Sequence, residues 1–503
     1  MASFVLAVVL SFAAILVFTH ALWLLTDGRR RRLPPGPRPL PLIGSVHAVK
    51  WSRAHRSLAH LAERYGPLMC IWFGRHPAVV VSTPDAARKI LTNPDTAGRT
   101  VLDAWRAEGH SANSVIVQCH RWRAMRRFAT TELFTKSRLD ARQQLRQEKM
   151  QELVRRVSEH AARGEPVDVG HAAFVTIVNL VSRTLFSVDI GSRELHDIVR
   201  AASRVATTPT VSDVFPSLAA ADIQGARSRM AALIRYGYRI IDEQFVQRKR
   251  DRDGGEPRKN DMLDVVIDKE KEWEEEGSQM NYDTFKGIFT EFFVAGTETV
   301  SSTIEWAMLE LLNCPESMRM VVEELKLVVG NKSNRQVEES DICQLPYLQA
   351  VIKETLRLHP SVPLSFQRAM ATVEVEGYII PKRTNIIINI WAINRKSDRW
   401  IEPEKFAPQR FIGQDISFWG KDFELIPFGA GRRMCLGLPL AYRMLHLVLG
   451  SLLYHFDWTL PTDVKDNALL QNRPSDGIDM TKKYGAVVYR ATPLKAIAKK
   501  RDE

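Results

Sequence analysis

The densest chemistry in the chain lies in Pro427-Phe428-Gly429-Ala430-Gly431-Arg432-Arg433-Met434-Cys435-Leu436-Gly437, where one cysteine sits among glycines behind an arginine and an aromatic ring. A cysteine thiolate is a strong electron donor, and on iron it favours O–O cleavage. Bare thiolate is also basic and easily oxidised; glycines let backbone N–H groups approach the sulfur and tune it. Read without function, the stretch is a Gly-rich turn holding an ordinary buried cysteine. Three other stretches pair polar groups. In Lys353-Glu354-Thr355-Leu356-Arg357, Glu354 and Arg357 share a helical face; on a surface such a pair contributes little. In Trp122-Arg123-Ala124-Met125-Arg126, Trp122 and Arg126 share a face and both donate hydrogen bonds. In Ala295-Gly296-Thr297-Glu298-Thr299, a glycine stands inside a helical stretch, which costs about 1 kcal/mol against alanine. A threonine hydroxyl can bond the carbonyl one turn back and open the helix. These features predict a local distortion beside a ligand.

Together these stretches resemble the cytochrome P-450 family. Phe428, Gly431, Arg433, Cys435 and Gly437 fit its haem signature F-x-x-G-x-R-x-C-x-G. The resemblance implies haem b with its iron held by the Cys435 thiolate, Phe428 covering the sulfur, and Arg433 on a haem propionate. It implies that Glu354 and Arg357 form a buried pair near the thiolate loop. Arg410 completes that pair from Phe406-Ala407-Pro408-Gln409-Arg410-Phe411, similar to F-x-P-x-R-F; many relatives carry Glu where Gln409 stands. Trp122 and Arg126 resemble the W-x-x-x-R propionate donors. Arg368 resembles another propionate arginine, with Gln367 where relatives often place proline. Phe292 to Thr299 resembles the oxygen-activating A-G-x-[DE]-T segment, which implies Thr299 at the oxygen site and Glu298 in proton relay.

The substrate pocket carried over from the resemblance comprises Val115 and Ile116, then Phe292, Phe293, Ala295 and Gly296. It continues with Val362, Pro363 and Leu364 after the Glu354 helix, and Ala486 and Val487 near the C-terminus. Each of these residues also fits ordinary core; as a set they imply a hydrophobic small molecule with few polar handles. The chain is most similar to plant microsomal members, and among them to the terpenoid-hydroxylating group, including diterpene hydroxylases of cereal defence metabolism. The implied reaction inserts one atom of O2 into a C–H bond, with electrons from NADPH through cytochrome P-450 reductase. Two other readings compete. A haem-thiolate isomerase or dehydratase would need neither O2 nor reductase, and Gly296 and Thr299 argue against it. A non-catalytic haem or sterol-binding membrane protein needs no proton relay, and the Glu298-Thr299 pair argues against it.

The elements that must position these residues are mostly helical. Amphipathic pattern runs over Ala54–Tyr65, about Arg121–Gln151, Ile223–Arg250 and Tyr282–Leu312. Leu68–Phe73, Ala78–Val81, Val373–Ile380 (turning at Gly377) and Thr384–Ile390 read as strands. The charged stretch Asp251–Asn281 reads as a solvated connection with a short helix. The fold class is mainly α with a minor β region, the cytochrome P-450 fold, behind one N-terminal transmembrane helix.

The chain has 503 residues, 25% of them charged, which excludes wholesale disorder. Lys and Arg number 70 against 58 Asp and Glu, a net charge of +12. That suits an acidic partner such as the reductase, or an anionic membrane surface. The basic residues are scattered and no zinc-finger or aromatic RNA-binding pattern accompanies them, so nucleic acid is not an expected partner. The 5 cysteines lie far apart with no CxxC pair, which points to a reducing compartment. No charged side chain occurs before Asp27, and Phe4–Leu25 is almost continuously apolar, long enough to span a bilayer. Arg29-Arg30-Arg31-Arg32 follows directly, and such a cluster stays cytosolic. The expected layout is an anchor at 1–28, a basic cluster and Pro-rich hinge at 29–44, and a catalytic domain at 45–503. That places the chain as a single-pass protein of the endoplasmic reticulum membrane with its catalytic domain in the cytosol.

Overall fold

The computed structural model describes residues 32–116, 120–275, 280–330, 335–461, 482–483 and 487–501, with positions 11, 14 and 18. The expected anchor at 1–28 lies outside the described residues apart from those isolated positions. The hinge is not a free spacer: Cys70 N–H donates to Pro35 O at 2.8 Å. A Cβ on Gly36 would fall 1.8 Å from Cys70 O, so a glycine is needed where the hinge crosses the first strand.

That strand, β1 (Leu68–Phe73), pairs antiparallel with β2 (His76–Val81), and a late antiparallel pair, β3 (Leu364–Arg368) and β4 (Asn385–Asn389), completes the sheet. The order is β1-β2-β4-β3, with β2 and β4 parallel, Val80 opposite Ile387. Its valine- and isoleucine-rich strands are mostly buried, as β-branched side chains favour.

The main body is helical. Its principal helices are α1 (Trp122–Leu133), α2 (Gln143–Ala162), α3 (Val169–Phe186), α4 (Arg193–Val205), α5 (Ala226–Asp253), α6 (Tyr282–Asn313), α7 (Pro346–Leu358) and α8 (Leu438–His455). The predicted run from Arg121 to Gln151 is divided by a short helix, Lys136–Asp140, because Thr135 starts a new helix with its side chain accepting from Arg138 N–H. The described residues within 251–281 are also more ordered than their charge suggested. They include a helix, Met262–Glu275, with Met262, Leu263 and Val266 buried. Arg248 meets Asp261 at 2.7 Å and Asp264 at 3.0 Å inside the protein. The charges pair inward where the sequence pattern implied solvation.

Helix α6 holds 32 residues, about 48 Å at 1.5 Å per residue. It is the axis of the molecule, packed on α3, α4, α5, α7 and α8. Asn281 caps it by accepting Thr284 N–H at 3.0 Å. Helix α3 is long and apolar enough to cross a membrane, yet 83% of it is buried within the protein, as expected of a core helix. One core joins α2, α3, α6, α7 and α8 through residues such as Leu153, Ile304, Leu348 and Leu447; a second gathers Trp122, Met125, Phe285 and Phe289.

Candidate functional site

The cysteine loop is built by close backbone contact. Gly431 has φ +65°, and a Cβ there would lie 1.9 Å from Leu91 O, so a side chain is excluded. Cys435 N–H donates to Phe428 O at 2.9 Å and closes the loop. The Phe428 ring packs 5.4 Å from Phe418. The Cys435 sulfur accepts the N–H groups of Gly437 and Leu438, where α8 begins. A helix N-terminus favours negative charge and therefore thiolate. Burial pushes the Cys435 thiol up from its ordinary range, opposed by those N–H groups and by Arg126.

The surroundings fit a large, flat, anionic cofactor. Cys435 keeps accessible surface, and so does Ala295 in the middle of α6. A Cβ built on Gly296, Gly429 or Gly437 meets nothing within 4 Å. Trp122 Nε1 is buried and has no hydrogen-bond partner among the described residues. Arg433 lies over the Trp122 ring at 3.7 Å and donates through Nε to Ala97 O at 2.8 Å. Arg126 donates to Met434 O at 2.7 Å. Arg368 exchanges backbone hydrogen bonds with Gly98, which brings its strand beside the same segment. Arg99, which no sequence motif marked, joins the group. Burial, then the nearby Arg126 charge, lowers its guanidinium to about 10. Among the described residues neither Arg99 nor Arg126 has a carboxylate within ion-pair distance. Two such cations without a carboxylate partner among the described residues, beside a buried indole donor, suit the propionates of a haem.

Glu354 and Arg357 are fully buried on α7, with Arg357 Nε 2.7 Å and Nη2 2.9 Å from the carboxylate oxygens. Arg410 Nε adds a contact to Glu354 at 3.0 Å, and Ala407 N–H another at 2.9 Å. Arg357 also donates to Pro403 O at 2.7 Å. The triad ties α7 to the segment leading to the cysteine loop; Gln409 takes no part in these bonds.

On α6, Thr299 Oγ1 donates to Ala295 O at 2.8 Å, one turn back. The helix nevertheless runs unbroken through Gly296, so the distortion predicted there is absent. The Thr299 carbonyl is held as well, accepting from Ser361 Oγ at 3.2 Å and from Thr303 Oγ1 at 2.8 Å. Glu298 is fully buried and faces α4, where Arg200 Nε approaches at 3.0 Å and His196 Nε2 at 2.9 Å. These partners were not legible in the sequence, since α4 is distant in the chain.

The predicted pocket residues separate into groups. Ile116 and Phe293 line an apolar cavity of about 70 Å³ bounded also by Trp105, Val199, Met230 and Thr290. Val115 is buried beside it. Phe292 turns instead toward Phe134, 5.7 Å between ring centres. Pro363 O accepts Trp391 N–H and Leu364 opens β3, so this stretch is tied into the sheet, with Val362 half-buried before it. Val487 N–H donates to Ser203 on α4, which draws the C-terminal segment to the same region. Ala486 lies outside the described residues. Glu291, unmarked by any motif, holds the loop carrying Val115 and Ile116.

The family model for cytochrome P-450 matches residues 34–483. Cytochrome P-450 76C2 of Arabidopsis thaliana is 40% identical over 93% of this chain and 92% of its own length. Geraniol 8-hydroxylase of Swertia mussotii is 40% identical, covering 93% and 94% respectively. 7-ethoxycoumarin O-deethylase of Helianthus tuberosus is 40% identical, covering 94% and 95%. With its glycine-lined cysteine loop and the arginines gathered beside it, the chain belongs to the cytochrome P-450 family, haem-thiolate monooxygenases that use O2 and electrons delivered from NADPH by a reductase.

Proposed function

We propose that this chain hydroxylates a terpenoid, with a diterpene of plant specialised or defence metabolism as the narrower candidate. The observation that carries the reading is the apolar character of the wall beside α6, bordered by Ile116, Val199 and Phe293, and not the roughly 70 Å³ it encloses, which holds only part of such a skeleton. Such a wall binds a hydrocarbon skeleton by shape and desolvation. Likeness to a relative named geraniol 8-hydroxylase supports the same class.

Haem held by Cys435 supplies the oxidising power that places one atom of O2 in a C–H bond. The chain's own residues do the rest. Arg126, Arg433, Arg368 and Trp122 hold the propionates, with Arg99 beside them. Phe428 and the N–H groups of Gly437 and Leu438 shield and temper the sulfur. Thr299 offers a hydroxyl at the oxygen site, and Glu298 renews its protons. Residues 1–28 anchor the protein in the endoplasmic reticulum membrane, the hinge sets its approach, and the domain works in the cytosol. There the basic surface receives the acidic reductase.

Reconstitution with reductase and NADPH, a panel of mono-, sesqui- and diterpenes, and product analysis by mass spectrometry tests the substrate class. NADPH-dependent hydroxylation of a terpene is expected; turnover confined to non-terpenoid aromatics would overturn it. Removal of residues 1–28 should leave a folded haem protein that is extracted more easily, and loss of haem on deletion would place that segment in the core.

A further inference from the structure

Glu298 is the inner end of a chain of titratable groups. His196 Nε2 lies 2.9 Å from Glu298 Oε2, and His196 Nδ1 lies 3.2 Å from His171 Nδ1. His196 is buried, its ring stacked 3.9 Å from Phe174 at 9° between planes. His171 is half-buried at the start of α3, where Asp168 caps the helix by accepting its backbone N–H at 2.9 Å. The three side chains thus connect the partly solvated end of α3 to the middle of α6.

The hydrogen bonds fix the tautomers. Glu298 is paired with Arg200 and accepts, so His196 Nε2 carries a proton. In neutral His196, Nδ1 is then a lone pair that must accept from His171 Nδ1–H. That leaves His171 Nε2 as the end of the chain able to take a proton from water. The charged groups around His171 are Arg193, Arg156 and Asp168, besides His196. Around Glu298 are Arg200 and, beyond it, Glu305 and Tyr489.

We infer that His171 and His196 are relay residues that replenish the Glu298 carboxyl with protons from solvent, an inference resting on the proton-supply role given to Glu298 above. A proton binds His171 Nε2 as the His171 Nδ1–H bond breaks and an N–H bond forms on His196 Nδ1. The His196 Nε2–H bond breaks as an O–H bond forms on Glu298 Oε2, and the carboxyl gives its proton to the oxygen site. One proton enters for each one delivered; electrons come separately from the reductase. A ring turn alone leaves the tautomer unchanged, so the cycle closes by neutral exchange with water: each ring takes up one proton on the nitrogen it emptied and releases one from the nitrogen it filled. Burial, with Arg193 and His196 next in weight, lowers His171 to about 4, so its cation is a transient that passes the charge on.

Two measurements test this. In histidine-labelled protein, ¹⁵N NMR should find His196 protonated at Nε2 and unprotonated at Nδ1, with a through-hydrogen-bond coupling to His171 Nδ1. A His196 protonated at Nδ1 overturns the assignment. His171→Gln can retain the hydrogen bond but cannot relay. In it, the share of NADPH appearing as product should fall roughly fivefold, less than a full acid–base loss because water can substitute. The solvent isotope effect should rise while substrate binding and the carbon monoxide spectrum stay unchanged. Wild-type coupling in His171→Gln together with uncoupling in Glu298→Gln overturns the relay and leaves Glu298 its role. Wild-type coupling in both overturns the relay and the role together.

Discussion

The Glu291 carboxylate on α6 accepts the backbone N–H of Val115 at 2.7 Å, across a sequence separation of 176 residues. Its oxygens also take Ile116 N–H at 3.1 Å and the Ser114 hydroxyl, and His110 Nε2 lies 3.6 Å away. One buried side chain therefore sets the loop that closes the apolar cavity. Glu291→Ala strands those donors, at about 1–3 kcal/mol for each one left buried. The apparent KM should rise roughly tenfold with the haem spectrum intact. Glu291→Gln should recover part of the loss, since its amide oxygen still accepts. Titration of the substrate-induced spectral change checks both.

Cys435→Ala should abolish the red-shifted Soret band of the reduced carbon monoxide complex. The assignment of Cys435 falls if a folded variant retains that band.

Breaking the triad around Glu354 should be costly. Glu354→Gln leaves Arg357 fully buried without its counter-charge, and unpairing a buried ion pair typically destabilises by about 3–5 kcal/mol. A lower thermal midpoint and poor haem retention are expected. A substitution at Gln409 should move neither, because Gln409 takes no part in the triad's bonds.

Thr299→Ala should preserve substrate affinity and divert NADPH into hydrogen peroxide. Among the described residues the Thr299 hydroxyl bonds only the Ala295 carbonyl in its own helix, so its loss leaves the fold in place. Product, peroxide and NADPH measured in one vessel give the partition; unchanged coupling would remove Thr299 from the oxygen chemistry.

Glu305 supplies a pH dependence. Its carboxylate is buried against Gly170, accepts Leu494 N–H at 2.7 Å, and is raised by burial to about 7, partly offset by Leu494 N–H, Arg490 and Arg200. Between the ordinary carboxylate pKa and that value, the folded protein holds a proton the unfolded chain has lost. Stability contributed at this site therefore falls as pH rises through that window, and the penalty is complete above it. Denaturant midpoints taken across about pH 5 to 8 should slope downward, and Glu305→Gln should flatten that slope.

Much of the site was legible because its parts are local. The turn before Cys435 needs glycine where Leu91 O approaches Gly431, and that requirement is written in adjacent residues. Glu354 and Arg357 meet because they are one helical turn apart, and Ala54–Tyr65 and Leu68–Phe73 form as their periodicity predicts. Periodicity could not reveal that Asp261 and Asp264 turn inward to Arg248, since composition carries no direction. Nor could it reveal that Phe292 faces Phe134 while Phe293 faces the cavity, since neighbours on a helix point 100° apart and only packing decides which is inside. The partners of Glu298 and Glu291 were hidden for the same reason. His196, Arg200 and the Val115 loop lie about 100 to 180 residues away in the chain. Sequence determined which groups could do the chemistry, because residue type and short spacing fix what a side chain can donate or ligate. Tertiary structure decided which of them meet, because long-range contact depends on how α3, α4 and α6 pack, which no local pattern encodes.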